Sequence, residues 1–333
     1  MENIKNILII IAVATVIFWY FGGFKLLKWF RLKKLDQQLQ DPLDTPELKS
    51  LRNQLAATQN INLQQSFTTY AIQQKITHKD QWPQVAFEHD QQNPVAGYFY
   101  AALVLKEAWA IRGTGTIDKL SVETIENFKK KLAQAESLIK QELEKVHNPA
   151  DLVFLILEIY LAIGQRTDAE FILNKYSNYL QDRLDIALKD LKMLYPRWGG
   201  THEKLQARAE QYSLQGGCMI ATKAYAYCHF IEDEEDKAVN AWLKTKPLQR
   251  LIEEYQHLPK APRAIANYAD YNLLLAHKLF ARLFFYTNNK SMLKKAIINT
   301  SGNFSADEVI NPNTRGEVSF IEKAKELGVS SFL

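Results

Sequence analysis

Apolar residues along this chain recur every three or four positions, and no run alternates at period two for long. That spacing predicts helices and almost no sheet. Phe128, Leu132, Ala135, Leu138 and Ile139 form one such stripe, within a long helix expected over 121–146. Other helices are expected over 95–112, 152–163, 167–179, 218–232, 234–243, 248–255, 264–286 and 291–298, with shorter ones at 82–90 and 317–327. The breaks carry helix-ending and helix-starting chemistry: Asn93-Pro94, Gly113-Thr114-Gly115, Asn148-Pro149, Gly164 and Gly216-Gly217. Residues 47–76 are rich in Gln and Asn with irregular apolar spacing, and a helix is expected there too.

The first strongly apolar run differs from the rest because it has no polar face. It opens at Ile7, closes at Phe24 and holds no charged residue. Eighteen helical residues reach about 27 Å, enough for the hydrocarbon core of a bilayer. Trp19 and Tyr20, with Trp29 beyond them, suit the membrane interface. Five basic residues follow within ten positions: Lys25, Lys28, Arg31, Lys33 and Lys34. A cleaved signal peptide carries its charge in front instead, so a retained transmembrane helix is the better reading. The positive cluster predicts a short external N-terminus and a cytoplasmic body. The expected organisation is an anchor over 1–24, a basic juxtamembrane segment and linker over 25–46, a helical-repeat domain over 47–298, and a loop-rich tail with a short helix over 299–333.

Charge then narrows the function classes. The chain of 333 residues carries a formal net charge of +4, but residues 1–35 hold six basic groups and one acid. The remainder has 35 basic and 36 acidic residues and lacks the cationic excess that nucleic-acid binding requires. Cys218 and Cys228 lie ten apart in one helical region, too far to bridge along a helix. The seven histidines are scattered, and His229 and Asp233 are expected to share a helix face without making a metal site. Residues 232–236, five acids in a row, lack the alternation and glycine of a calcium loop and are expected to be a solvated turn. No phosphate loop, nucleophile elbow or paired-cysteine motif is present, so no cofactor and no enzymatic activity are expected.

The least generic joint is Tyr195-Pro196-Arg197-Trp198-Gly199-Gly200-Thr201-His202-Glu203. Pro and Gly break one helix, Thr201 caps the next, and Glu203 suits its positive end. Trp198 is expected to wedge between hairpins. Upstream, Tyr160, Gly164 and Ala169 fall at tetratricopeptide-like spacing, in a repeat of about 34 residues. Gly200 and Leu205 keep the interval of Gly164 and Ala169, and Tyr212 echoes Tyr176, so 184–213 reads as a second, degenerate copy. The expected fold is all-α: a tetratricopeptide-like α-solenoid of helical hairpins preceded by one N-terminal transmembrane helix.

These motifs resemble a known family. Ala108-Trp109-Ala110-Ile111-Arg112-Gly113-Thr114-Gly115, the Phe128/Leu132 helix and the 195–205 stretch are similar to the bacterial family called domain of unknown function 4034. The similarity covers roughly 82–212 and departs at Ala207 and Arg208, where larger apolar residues are expected. The resemblance implies a tetratricopeptide-like fold and a bacterial source, and no reaction. The expected role is a protein-binding scaffold at the cytoplasmic face of the inner membrane, held in the bilayer by residues 7–24. Its candidate partner-binding residues are Trp109, Arg112, Arg197, Trp198 and Glu203, because indole and guanidinium groups often dominate interfaces. Alternatives are an immunity protein that neutralises a toxin, and an enzyme with a site near Arg112, Arg197 and Glu203, with His202 as a further participant.

Overall fold

The structure is a computed structural model. It describes residues 76–113, 119–233, 245–263, 265, 267–303 and a few positions between 320 and 328. The anchor expected from Ile7 to Phe24, Trp19, Trp29, the basic segment and the 47–75 stretch lie outside the described residues, as does the helix expected over 234–243. Among the described residues no helix is long and apolar enough to cross a membrane.

The described chain is helical throughout, without a strand. The helices are α1 (Trp82–His89), α2 (Pro94–Arg112), α3 (Val122–Leu143), α4 (Ala150–Ile163), α5 (Arg166–Lys175), α6 (Leu184–Met193), α7 (His202–Ser213), α8 (Ala221–Asp233), α9 (Lys246–Gln256), α10 (Tyr268–Tyr286) and α11 (Lys290–Asn299). Their ends follow local chemistry. Asn93 caps α2 by accepting from the Val95 amide, and Ser121 caps α3 through the Thr124 amide. Gly164 closes α4 in the left-handed conformation at φ 71°, leaving two residues before α5. The helix expected over 121–146 ends at Leu143, and the one expected from 218 starts at Ala221 after a 3-10 turn at Gly217–Ile220. Two further boundaries differ more. The segment expected as one helix over 167–179 ends at Lys175 and continues as a 3-10 turn at Ser177–Tyr179. The helix expected from 264 begins at Tyr268, because Asn267 is extended and its side chain accepts from the Asp270 amide.

Except for Asp80–Trp82, the described residues fall in one compact unit. Within it, α2 packs on α3, α4 on α3 and α5, α6 on α4, α7 on α6, α8 on α7, and α10 on α8 and α11. Over 184–213, where a second hairpin copy is expected, the chain forms two helices, α6 and α7. Helix α4 is apolar nearly all round and buried along most of its length, as a central helix must be. A second core gathers Tyr255, Phe280, Phe284 and Ile297 from α9 to α11. Phe320 and Ala324 join it, Phe320 packing against Phe285 at 5.1 Å between ring centres. Arg208, where a larger apolar residue is expected, pairs with the buried Asp190 of α6 at 3.3 Å.

The paired glycines divide two tasks. Gly199, not Gly200, takes the left-handed conformation, at φ 82°. Gly200 has no such φ, but a Cβ there would lie 1.7 Å from the Leu194 carbonyl oxygen. Gly200→Ala must therefore push backbone apart and is expected to cost about 3 kcal/mol, lowering Tm by about 6–10 °C. Gly164→Ala, at φ 71° with open space around it, should cost only about 1 kcal/mol. Thermal unfolding followed by circular dichroism checks the ranking, and equal losses would refute it.

Candidate functional site

The Pro196 turn is built from its own sequence. Extended Tyr195 leads into a 3-10 turn at Pro196–Trp198, with Pro196 at its first position, where a missing amide proton costs nothing. The Tyr195 carbonyl accepts from the amides of Trp198 at 2.9 Å and Gly200 at 3.1 Å. Thr201 then caps α7, its hydroxyl accepting from the Lys204 amide at 3.2 Å. Hydrogen bonds with the Thr201 side chain and with its own amide hold the Glu203 carboxyl below its ordinary range. Trp198 does not wedge between hairpins as expected; it is 41% exposed. The left-handed turn at Gly199 closes on Pro196 and leaves the indole facing solvent.

Two residues of this stretch fasten it to α8. The Tyr195 hydroxyl donates to Asp233 Oδ1 at 3.1 Å, and His202 Nε2 lies 3.3 Å from Asp233 Oδ2. The Tyr195 ring meets His229 edge-on at 4.4 Å, and His202 meets Phe230 at 5.7 Å. The acidic run therefore does not begin as a solvated turn. Glu232 is 12% exposed at its side chain, with His229 Nδ1 at 3.2 Å. Arg282 and Tyr286 of α10 donate to its other oxygen. Burial by itself would raise the Glu232 carboxyl; the His229 contact and the Arg282 charge outweigh it and hold the pKa at about 2. His229 accordingly pairs with Glu232, while Asp233 serves Tyr195 and His202. Glu234 to Asp236 lie outside the described residues.

The other candidates form a separate group. Trp109, near the end of α2, packs on Phe128 of α3 at 5.4 Å, and the Arg112 guanidinium lies over the same indole at 5.5 Å. Arg112 also donates to the Gly113 carbonyl at 3.3 Å. Trp109 and Arg112 thus meet on the α2–α3 hairpin, and Trp198 and Glu203 on the α6–α7 connection. Arg197 lies in the same 3-10 turn as Trp198, and its side chain is outside the described features. Among the described residues no three His, Cys, Asp or Glu side chains are grouped to hold a metal ion.

No protein-family model, curated protein or solved structure matches this chain.

Sequence reasoning missed one feature. A groove of about 630 Å³ runs between α7, α8 and α9, lined by Gln206, Lys223, Tyr227, Lys246, Pro247 and Arg250, among others. Its basic residues come from two helices and sit at no recognisable spacing, so only folding brings them together.

The Glu232 cluster generates a pH prediction. Its folded pKa, about 2, lies below the ordinary 4.5. Ionised Glu232 thus stabilises the fold above pH 4.5, and that contribution is lost as pH falls from 4.5 towards 2. Glu232→Gln should cost about 3 kcal/mol near neutral pH, because Arg282 is left without its buried counter-charge. The gap to wild type should narrow on acidification. Denaturant titrations across that range check it; a gap independent of pH would contradict the assignment.

Proposed function

We propose that this chain is a membrane-anchored helical-repeat scaffold that binds another protein at the cytoplasmic face of a bacterial inner membrane. The observation that carries the reading is the exposed indole of Trp198 on a turn pinned from both sides. Tyr195 and His202 bind Asp233, Thr201 caps α7, and Gly200 sits against Leu194. A rigid turn loses little entropy when it is covered, and a large aromatic group already held out to solvent is the usual anchor of an interface. The consecutive hairpins, the left-handed glycine at 164 and the small Ala169 are consistent with tetratricopeptide-like stacking into a solenoid. The resemblance to the domain of unknown function 4034 family points the same way.

The apolar run from Ile7 to Phe24 supplies the tether, with the N-terminus outside and the body inside. Tethering raises the local concentration of the body at the membrane face. Trp109 and Arg112 form a second, half-buried aromatic and cationic pair on the α2–α3 hairpin.

Cross-linking in intact membranes followed by capture of the full chain should return a recurrent protein partner. Trp198→Ala should weaken that capture by about 2 kcal/mol, roughly thirtyfold, with the helical circular dichroism spectrum retained. Undiminished capture by the variant would overturn the reading.

A further inference from the structure

The groove between α7, α8 and α9 has a chemistry that the Trp198 turn lacks. Three cations line it: Lys223 from α8, and Lys246 and Arg250 from the first two turns of α9. Lys223 is buried, its ammonium 3.2 Å from Glu210 and 3.8 Å from Glu254. Arg250 also contacts Glu254, at 3.1 Å, but its side chain is 79% exposed. Lys246 makes no ion pair among the described residues. Among the described residues three cations thus face two carboxylates, and the surplus positive charge sits at the α9 end.

The start of α9 adds to that surplus. Thr245 occupies its N-cap position in an extended conformation, yet its side chain makes no capping hydrogen bond. Among the described residues its buried hydroxyl has no hydrogen-bond partner. Among the described residues no side chain caps the positive end of the α9 macrodipole, which lies at the groove beside Lys246. The remaining wall is mixed: Gln206 and the exposed Glu210 are polar, and of the apolar residues Pro247 is exposed while Ala209, Ala226 and Tyr227 are largely buried.

We propose that this groove binds an acidic peptide segment of a partner protein, with Lys246, Arg250 and the α9 N-terminus receiving its carboxylates and Pro247, with the edge of Tyr227, meeting its apolar side chains. A volume of about 630 Å³ holds several side chains, more than a free inorganic anion fills. A lipid bilayer is excluded by shape: a flat headgroup layer does not enter a groove between helices. The proposal rests on the reading of the chain as a binding scaffold, but not on Trp198.

The test uses full-length protein in discs of uncharged lipid and a fluorescein-labelled peptide of about ten alternating Glu and Leu residues, read by anisotropy. Saturable binding is expected. It should fall at least about tenfold when Gln replaces Glu in the peptide, and again between about 50 mM and 300 mM salt. The double variant Lys246→Glu/Arg250→Glu should lose at least about tenfold, and Lys246→Gln/Arg250→Gln part of that, with Tm retained because both side chains are exposed. Trp198→Ala should leave peptide affinity unchanged.

Absence of saturable binding to wild type, equal affinity for the Gln peptide, or indifference to the double variants would overturn the proposal. So would loss of phosphatidylserine-vesicle binding by those variants with peptide binding intact, since the charge would then serve a membrane. Failure here with partner capture still abolished by Trp198→Ala leaves the scaffold reading standing and removes only this groove.

Discussion

The arrangement of the helices depends on one buried guanidinium. Arg183, in the connection leading into α6, donates to Asp151 of α4 at 2.9 Å and forms a two-pronged pair with Asp185 at 2.9 and 2.8 Å. Tyr268, at the start of α10, donates to the same Asp151 oxygen at 2.6 Å, and its ring lies 3.9 Å from the guanidinium carbon. Burying these charges is unfavourable in itself: desolvation pushes the Asp151 carboxyl up, against the pull of Arg183. The cluster is tolerable only when all its members are in place, so it rewards one arrangement of helices distant in sequence. An apolar core would accept a slipped hairpin more readily than this polar centre does.

Around that centre, small residues decide how closely backbones approach. Gly97 of α2 faces the buried Glu142 of α3, and a Cβ there would lie 2.2 Å from the Glu142 carboxyl carbon. Lys145 holds one oxygen of that carboxylate at 2.7 Å, although burial raises its pKa. Two hairpins later, Gly200 sits against the Leu194 carbonyl. There the close approach is joined by the contacts of Tyr195 and His202 with Asp233, and the rigidity of the Trp198 turn follows from that combination.

The fold was legible in the sequence wherever it depended on nearest-neighbour chemistry. Helix starts at Asn93, Ser121 and Thr201 and the stop at Gly164 can be read from single residues, because a cap bonds within three positions of itself. The start of α10 was misplaced because Pro262 and Arg263 interrupt nothing in the apolar count, while the real signal is one asparagine, Asn267. The candidate site was legible only in part. Thr201 and Glu203 do what their positions suggest. The burial of Glu232 against Arg282 and Tyr286 and the partnership of His202 with Asp233 depend on residues far along the chain, from helices whose approach no local pattern encodes. The groove cations were invisible for the same reason.

Cys228 carries a further consequence. It is fully buried in α8, unbridged, and burial pushes its thiol up to about 12. In the closed state it is neither ionised near neutrality nor within reach of an alkylating reagent. Its modification rate therefore measures how often the packing around α8 opens. The side chain is a native stopwatch for the helix that bears Asp233 and, through it, the Trp198 turn.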